Sequence, residues 1–534
     1  MENLHFNTKF VDCLPGDPVE ENYRREVVGA CYSFVKPKKN KGPHLIASSK
    51  EVANLLDINA ESCQTDLFTD IFSGNKMVDG MKPYAMCYGG HQFGNWAGQL
   101  GDGRAINLGE IINSRNESWT IQLKGSGETP YSRSADGLAV LRSSVREFLC
   151  SEAMFHLGIP TTRALSLIGT GEEVMRDMFY DGNPKLEPGA VVCRVAPNFL
   201  RFGNFELLAS RRDNDLLDKL VEFTVRNYFK DIEPPSTLTE EKKIIWYSDW
   251  FTEVCRRSAM LMSQWMHFGF VHGVMNTDNM SISGLTIDYG PYGWLEGYDP
   301  MWTPNTTDAQ GKRYCYGRQP DIALWNLAQL ANALLTVIPD EEALRRGLNY
   351  YRETYAMYWR EGMVKKLGFE QIEKEDDVLI EELLSVLSSV ETDWTLFFRL
   401  LAKFDLDEEI PRIDQIIRTI EPALYSSVEG NSEYLNLLLD WFQKYRARGV
   451  RSAITKGKRA ALMNSVNPKF VLRNYLVQIA IEKASEGDFS TINELLDVVR
   501  QPYSEQCDQE ENYGRKRPEW ARRKAGCSML SCSS

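Results

Sequence analysis

Asp278, Asn279 and Asp288 are the residues whose types and spacing offer the clearest chemistry in this sequence. Asp278 and Asn279 end the segment HGVMNTDN, which starts at His272, and Asp288 begins an Asp-Tyr-Gly triplet nine residues after Asn279. Carboxylate and amide oxygens suit a hard cation such as Mg²⁺, which keeps several waters and takes few protein carboxylates. Asp278 would then accept a proton from an attacking hydroxyl. An ordinary turn rich in Asp and Asn is the alternative that this spacing leaves open.

The position of the proton acceptor distinguishes this segment from a kinase catalytic loop. In a loop of the His-x-Asp-(x4)-Asn type, the catalytic Asp stands five residues before the Asn. Here that position is Val274, whose side chain cannot take a proton. The chain is therefore either an inactive relative of such enzymes or an enzyme whose base has moved to Asp278. We expect His272 to be a hydrogen-bonded structural residue and not a base.

A second group of residues, earlier in the chain, has the types that bind nucleotide phosphates. The segment GQLGDGR, residues 98–104, offers glycines whose backbone N–H groups can approach phosphate oxygens, although an unliganded hairpin turn has the same composition. Lys124 ends a β-type run, and Glu147 lies in the first amphipathic helix. In kinase-like folds a strand Lys held by a helix Glu binds nucleotide phosphates. We predict this ion pair because a glycine-rich loop precedes it and the Asp278 loop follows it.

Arg194 and Arg201 are further candidates for phosphate binding. They flank the segment Val195–Leu200. A planar guanidinium group binds phosphate bidentately and keeps its charge over the whole physiological pH range. Surface salt bridges explain two arginines equally well when the sequence is considered alone.

Length and composition exclude several classes of protein. The 534 residues are sufficient for a large core and for more than one domain. The formal net charge of −13 argues against binding of nucleic acid or of an anionic membrane, which needs a basic surface. We find no apolar run of about 18 residues and no secretory or transit character, so we expect no membrane span and a bacterial cytoplasmic location. Eleven scattered cysteines without a CxxC motif indicate reduced thiols and no structural zinc.

The spacing of apolar residues predicts a mixed α and β protein. Short β-type runs at Arg104–Leu108 and Trp119–Leu123 indicate a hairpin, and Leu285–Ile287 is expected to form a strand inside the Asp278 loop. After Gln319 nearly every segment has the three- and four-residue spacing of a helix. We divide the chain into four parts: a lead-in (1–80), a nucleotide-binding lobe (81–205), a catalytic lobe with the metal loop (206–320), and a helical extension with a C-terminal tail (321–534).

Several segments together resemble the selenoprotein O (YdiU) family of protein adenylyltransferases, which have a pseudokinase-like fold. The resemblance extends from about Gly29 to the last residue. It implies an α+β, protein-kinase-like two-lobed fold with a large helical C-terminal extension. It rests on the Asp278 loop and on the segments GGHQFG (89–94), QLGDGR (99–104), LKG (123–125), TPYSR (129–133), AVLRS (139–143), LRFG (200–203) and the terminal CSS (532–534).

The resemblance implies a specific reaction and a set of site residues. Members of the family bind ATP in an orientation flipped relative to active kinases, so that AMP passes to Ser, Thr or Tyr hydroxyls of proteins and pyrophosphate leaves. Asp278 would be the proton acceptor, and Asn279 and Asp288 would hold Mg²⁺ or Mn²⁺. Glu147 would pair with Lys124. The residues implied to contact ATP are Gly101, Gly103, Arg104, Lys124, Asp136, Gly137, Arg194, Arg201 and Asp288.

The C-terminal tail departs from the family pattern. Cys532 stands where some relatives carry selenocysteine, and several relatives pair the tail residue with a cysteine shortly after the Asp-Tyr-Gly triplet. The corresponding segment here, PMWTPN at 300–305, contains no cysteine. Cys532 is therefore a candidate redox residue whose partner is Cys315, Cys527 or neither, and an inert terminal thiol is the alternative.

Two other functions compete with AMP transfer. A conventional kinase is disfavoured because Val274 occupies the position of the kinase base. A non-catalytic ATP-binding pseudokinase scaffold is disfavoured because Lys124, Asn279 and Asp288 are all retained, and a scaffold would not require metal ligands. We expect a monomer that acts on ATP and on proteins, including itself, but not on nucleic acid or membranes. In a eukaryotic host the resemblance implies a mitochondrial location.

Overall fold

The computed structural model of the protein describes residues 4–406 and 411–531. As the sequence predicts, it is a mixed α and β structure with a helical C-terminal region. The strands of the described chain are β1 Phe6–Asn7, β2 Tyr32–Phe34, β3 His44–Ser48, β4 Tyr84–Met86, β5 Gly89–Gln92, β6 Asn95–Gln99, β7 Ala105–Ile112, β8 Ser118–Lys124, β9 Arg163–Arg176, β10 Lys185–Ala196, β11 Phe270–Val271 and β12 Gly293–Trp294.

Helices make up most of the rest of the chain. In the described ranges, none of them is long and apolar enough to cross a bilayer. They are α1 Lys9–Cys13, α2 Lys50–Leu55, α3 Asp66–Ser73, α4 Leu141–His156, α5 Phe202–Ser210, α6 Asn214–Tyr228, α7 Glu240–Phe268, α8 Gln319–Leu334, α9 Glu341–Lys366, α10 Asp376–Ser389, α11 Trp394–Leu401, α12 Ile413–Ile420, α13 Ser432–Ser452, α14 Lys456–Val466, α15 Asn474–Ser485, α16 Ser490–Val499 and α17 Glu510–Tyr513.

The main sheet brings the two candidate phosphate-binding strands side by side. Its strands are antiparallel and follow the order β2-β4-β7-β8-β10-β9-β3, with β1 paired to β7. Successive side chains of a strand point to opposite faces of the sheet. Lys124 and Arg194 therefore share one face, while Leu123 and Cys193 belong to the apolar cluster on the other face. This alternation places two cations beside each other at one end of the sheet.

Helices cover both faces of this sheet. On one face α2 and α3 pack against β9 and β10, and Phe68 and Phe72 join the same apolar cluster as Leu123. On the other face α4 packs against β9 and β10, and Phe148 joins a second cluster with Val192. The three- and four-residue spacing of apolar residues in α4 turns its apolar side to the sheet. The sheet is thus a buried layer whose polar residues on the α4 side need partners from α4.

Residues 1–80, which we expected to be a lead-in, contribute directly to this architecture. β2 and β3 form the two edges of the main sheet, and α2 and α3 supply one of its covering layers. Short strands of two to five residues with few alternating apolar residues give little periodic signal in the sequence. Their pairing partners are far along the chain, so the sheet recruits them through non-local contacts.

The predicted hairpin is present, but one predicted strand is not. β7 and β8 pair over the whole hairpin. Leu285–Ile287 forms no strand, because only Thr286 makes an isolated bridge, with Thr161. The backbone of Thr286 donates to Pro160 O at 2.9 Å and accepts from the N–H of Thr162 at 3.0 Å. A short apolar run fits either a strand or another buried segment, and here the pairing ends after one residue.

Two helices of the C-terminal region pack against α4. α15 and α16 contact α4, and their apolar side chains, such as Val477 and Leu495, belong to the same cluster as Phe148. A separate apolar cluster, which includes Leu383 and Trp441, joins α9–α14. The helical C-terminal region therefore supports α4 from the side opposite to the sheet.

Lys366, the last residue of α9, is an ionisable residue buried in this helical region. Its side chain is buried, donates to Asn467 Oδ1 at 2.7 Å, and lies 4.1 Å from the ring centre of Phe398. No carboxylate of the described residues forms an ion pair with it. Burial lowers the pKa of Lys366 to about 7. The neighbouring His267 stays neutral because burial lowers its pKa to about 3.

Replacement of Lys366 should change how stability depends on pH. The pKa of a lysine in the unfolded chain is about 10.4, so between about pH 7 and pH 10 the unfolded state holds a proton that the folded state lacks. Stability of the wild type should rise with pH in this window, by up to about 1.4 kcal/mol per pH unit from this group. Lys366→Met should be more stable than the wild type at pH 7, and its advantage should shrink towards pH 10. Urea unfolding at several pH values measures this difference.

Lys365→Met is the matched control, because Lys365 is exposed and adjacent in the same helix. It should follow the wild type at every pH. If the difference between Lys366→Met and the wild type stays constant from pH 7 to pH 10, Lys366 is charged in the folded state over this range and the prediction is wrong.

Candidate active site

A cavity of about 420 Å³ lies between the main sheet and the Asp278 loop. This volume is in the range of small-molecule binding sites. Most of the residues that the sequence indicated for ATP, metal and proton transfer meet at its wall. They are Gly101, Gly103, Arg104, Lys124, Arg194, Arg201, Asp278, Asn279 and Asp288.

The cations from the sheet are held by a glutamate from α4. Lys124 Nζ lies 2.5 Å from Glu147 Oε2, and Arg194 Nη1 lies 2.8 Å from Glu147 Oε1. Arg194 also donates to the side-chain oxygen of Gln122, its neighbour on β8. Glu147 is almost fully buried. A buried charge is tolerated only when it is paired and hydrogen-bonded, so this carboxylate fixes both cations on the face that borders the cavity.

The carboxylate of Asp288 accepts hydrogen bonds from three basic side chains, which come from different parts of the fold. Its carboxylate is bonded by Arg194 from β10 and by Arg201 at the start of α5, and Lys124 Nζ from β8 lies 3.5 Å away. Asp288 is only partly buried and has a positive φ of 60°, which a non-glycine residue adopts rarely. Burial alone would raise the pKa of Asp288, but the charges of Arg201, Lys124 and Arg194 hold it well below its usual value.

Asp278 lies in a single 3₁₀ turn, Thr277–Asn279, next to α5. Arg201 Nη1 donates to the backbone oxygen of Asp278 at 2.8 Å, which joins this turn to the cation group. The side chain of Asp278 is buried, and burial raises its pKa to about 6, against the charge of Arg201. A carboxylate with a pKa near this value is a suitable proton acceptor at neutral pH.

Val274 and His272 have structural roles in this loop. Asn279 Nδ2 donates to Val274 O at 3.0 Å, and the Val274 side chain lines the cavity without any polar atom. His272 is buried, stacks on Trp265, and bonds Ile287 O through Nε2 at 2.8 Å. Burial also lowers the pKa of His272. His272 thus ties the two halves of the loop together, in line with our expectation that it is not a base.

The glycine-rich segment packs closely on residues 131–132. Gly101 has a φ of 79°, and a Cβ at this position would lie 2.4 Å from the Tyr131 ring. A Cβ on Gly103 would lie 2.8 Å from Tyr131 O. Between them, the buried Asp102 places Oδ1 3.8 Å from Arg201 Nη2. Glycine is therefore required at both positions for the backbone to reach the cavity wall.

Two residues predicted to contact ATP do not line the cavity. Asp136 turns away, since Arg176 binds its carboxylate at 2.6 and 2.8 Å, and neither Asp136 nor Gly137 lines the cavity of the described chain. Cys532 lies outside the described residues. Its two candidate partners, Cys315 and Cys527, are buried, and neither forms a disulfide with another cysteine of the described ranges.

The cavity wall also includes residues that were not predicted as site residues, among them Gln92, Arg133 and Tyr180. Gln92 and Arg133 lie in two of the segments that carry the family resemblance, which was a usable signal. Tyr180 lies in the loop between β9 and β10, is 66% exposed, and had no comparable signal.

The oxygen donors at the cavity fit a hard divalent cation. Because Asn279 Nδ2 is bonded to Val274 O, the amide oxygen is the Asn279 atom left for a ligand. Asp288 adds a carboxylate at the same cavity wall. One carboxylate and one amide oxygen, completed by water or by phosphate oxygens, match the preference of such cations.

A separate group of residues could also hold a metal ion. Ligand atoms of Glu51, Glu152 and His156 lie within 4.8 Å of one another, between α2 and α4. Arginines already compensate both carboxylates, because Arg163 binds Glu152 at 2.7 Å and Arg500 binds Glu51 at 2.9 Å. We therefore assign no catalytic role to this group.

Removal of the charge of Glu147 should destabilise the protein. In Glu147→Gln the buried Lys124 and Arg194 keep only Asp288 as a carboxylate partner. Breaking a buried pair in this way typically costs about 3–5 kcal/mol. The matched control is Glu341→Gln, which breaks an exposed pair with Arg345 and should change stability little. Urea unfolding at pH 7 compares the two variants, and equal small losses would contradict the role given to Glu147.

Comparisons with known proteins identify the family of the chain. The family model described as "Protein adenylyltransferase SelO" matches residues 20–500. A protein of Rhodopirellula baltica named "Protein nucleotidyltransferase YdiU" is 53% identical over 542 residues, which cover 100% of this chain and 99% of the relative. Proteins of the same name from Aromatoleum aromaticum and Azoarcus sp. are 54% and 53% identical, and each alignment covers 100% of both chains. The chain therefore belongs to the SelO (YdiU) family of protein adenylyltransferases.

Proposed function

We propose that this protein transfers AMP from ATP to Ser, Thr or Tyr hydroxyls of proteins. The hydroxyl oxygen attacks the α-phosphorus of ATP, the bond between that phosphorus and the oxygen bridging to the β-phosphate breaks, and pyrophosphate leaves. The hydroxyl proton passes to the Asp278 carboxylate. The observation that carries this proposal is the position of the buried Asp278 at the cavity wall, in a family of protein adenylyltransferases, while Val274 occupies the place of a kinase base.

The cations of the site have the chemistry to hold the triphosphate. Three basic side chains converge on the carboxylate of Asp288: Lys124, Arg194 and Arg201. Phosphate oxygens that enter the cavity would meet the same three donors. Arginine binds phosphate bidentately, and lysine acts as a point charge. Asn279 and Asp288 would hold Mg²⁺ or Mn²⁺. When bound, such an ion neutralises charge on the phosphates and on the leaving pyrophosphate.

We also propose that the fold is a two-lobed variant of the protein-kinase fold. The support is the order of its parts: a glycine-rich segment, a strand Lys paired with a helix Glu, and an Asp-Asn loop followed by Asp-Tyr-Gly. The boundaries would be 81–205 for the nucleotide-binding lobe and 206–320 for the catalytic lobe, with 321–534 as the helical extension. Residues 1–80 would belong to the first lobe, since β2 and β3 are strands of its sheet.

Radiolabelled ATP distinguishes AMP transfer from phosphoryl transfer. With a divalent cation, label from α-³²P-ATP should appear on the protein itself or on proteins of a cell lysate, and label from γ-³²P-ATP should not. Asp278→Asn should lower the rate by 10²-fold or more, since positioned general bases typically contribute about 10²–10⁴-fold. Its affinity for ATP should remain within a few-fold of the wild type.

Other outcomes of this experiment point to the competing functions. Label from the γ position alone would indicate a kinase, and no label from either position would indicate a nucleotide-binding scaffold. Either result would overturn the proposal of AMP transfer. Near-normal transfer by Asp278→Asn would instead show that another group accepts the proton.

Removal of the divalent cation should abolish transfer. With EDTA in excess the rate should fall to background, and added Mg²⁺ or Mn²⁺ should restore it. Asn279→Ala should need a higher concentration of the cation for half-maximal rate, because the amide oxygen is lost while Asp288 remains. A rate that is unchanged in EDTA would contradict the assignment of Asn279 and Asp288 as ligands.

A further inference from the structure

The hairpin of β5 and β6 lies directly on the Asp278 loop. The backbone N–H of His91 donates to Thr277 Oγ1 at 2.7 Å, and the backbone N–H of Phe93 donates to Asn276 Oδ1 at 3.2 Å. Both bonds use main-chain donors, so they do not depend on the side chain between them. That side chain is Gln92, which points into the cavity wall beside Asp278.

The two carboxylate oxygens of Asp278 have different surroundings. Oδ1 is buried and has no hydrogen-bond partner among the described residues. It faces the backbone of Gly90, where a Cβ would lie 2.7 Å from Oδ1 and 2.9 Å from the Cβ of Asp278. Oδ2 accepts a hydrogen bond from Gln92 Nε2 at 3.2 Å. The hairpin therefore covers one oxygen and holds the other.

We infer that Gln92 is a positioning residue for AMP transfer, and that it presents Oδ2 of Asp278 as the atom that takes the proton from the acceptor hydroxyl. This inference rests on the proposed function and extends it to a residue outside the predicted site. Gly90 closes the other side, because its missing side chain lets the hairpin backbone lie against Oδ1. The carboxylate then has one orientation, with the amide of Gln92 on one side of Oδ2 and the cavity on the other.

The contacts that hold the hairpin in place do not involve the Gln92 side chain. The hairpin stays attached through the backbone of His91 and Phe93 and through His91 Nδ1, which lies 2.7 Å from Glu206 Oε1. Loss of the Gln92 amide removes none of these bonds. Gln92 also makes no hydrogen bond to Lys124, Arg194 or Arg201, which hold the phosphates in the proposed function. The orientation of Asp278 should change, while folding and ATP binding should not.

The direct test is Gln92→Met, which has a similar length and no hydrogen-bond donor. We expect kcat for transfer of α-³²P label to fall about 10- to 100-fold, since small misplacements of a catalytic group have effects of this size. KM for ATP and the melting temperature should stay close to the wild-type values. Ala97→Ser, at an exposed position in the middle of β6 of the same hairpin, is the control and should behave as the wild type.

A second variant displaces the carboxylate without touching Gln92. In Gly90→Ala the new Cβ would require the Asp278 side chain to move. We expect kcat to fall at least as far as in Gln92→Met, again with little change in KM for ATP. Gln92→Glu keeps the shape of the side chain but replaces the amide donor by a second carboxylate. Its kcat should be lower than that of the wild type, because Oδ2 of Asp278 loses its hydrogen bond.

The outcomes separate this inference from the proposed function. If the wild type transfers AMP and Gln92→Met has an unchanged kcat, the inference is overturned and the proposed function stands. If Gln92→Met loses thermal stability and ATP binding together with activity, its role is structural and the inference is also overturned. If the wild type transfers no AMP, the proposed function fails and the inference fails with it.

Discussion

The site depends on a single electrostatic constraint: three cations that converge on the cavity must be compensated in the folded protein. Asp288 meets this constraint with the help of Glu147, because it bonds Arg194 and Arg201 and lies beside Lys124. Uncompensated buried charges would cost several kcal/mol each. A bound triphosphate would bring its own negative charge to the same cations, which would leave the Asp288 carboxylate available to a divalent ion.

The rest of the fold can be understood as the support of this arrangement. Lys124 and Arg194 share a face because β8 and β10 are neighbours in register. α4 carries Glu147 to that face, and α15 and α16 pack against α4 from its other side. Arg201 immediately precedes α5 and donates to the backbone oxygen of Asp278, which links the cation group to the proposed base.

The sequence predicted the parts of the fold that have local signals. Alternation and turn composition indicated the β7–β8 hairpin, and helical spacing indicated the C-terminal helices. The structure brings Lys124 and Glu147 together, which the order of strand, helix and loop had suggested. Contacts between distant segments were not predictable. Asp136 pairs with Arg176 across 40 residues of sequence, and Gln92 bonds Asp278 across 186 residues. Neither pairing leaves a periodic or spacing signal in the chain.

In the proposed reaction the α-phosphate of ATP, and not the γ-phosphate, faces the proposed base. A crystal structure with α,β-methylene-ATP and Mn²⁺ tests it most directly, because the methylene group blocks cleavage between the α- and β-phosphates. We expect the α-phosphate to be the phosphate nearest to Asp278 Oδ2, with Lys124, Arg194 and Arg201 on the phosphates beyond it. A γ-phosphate next to Asp278 would contradict the account and would favour phosphoryl transfer.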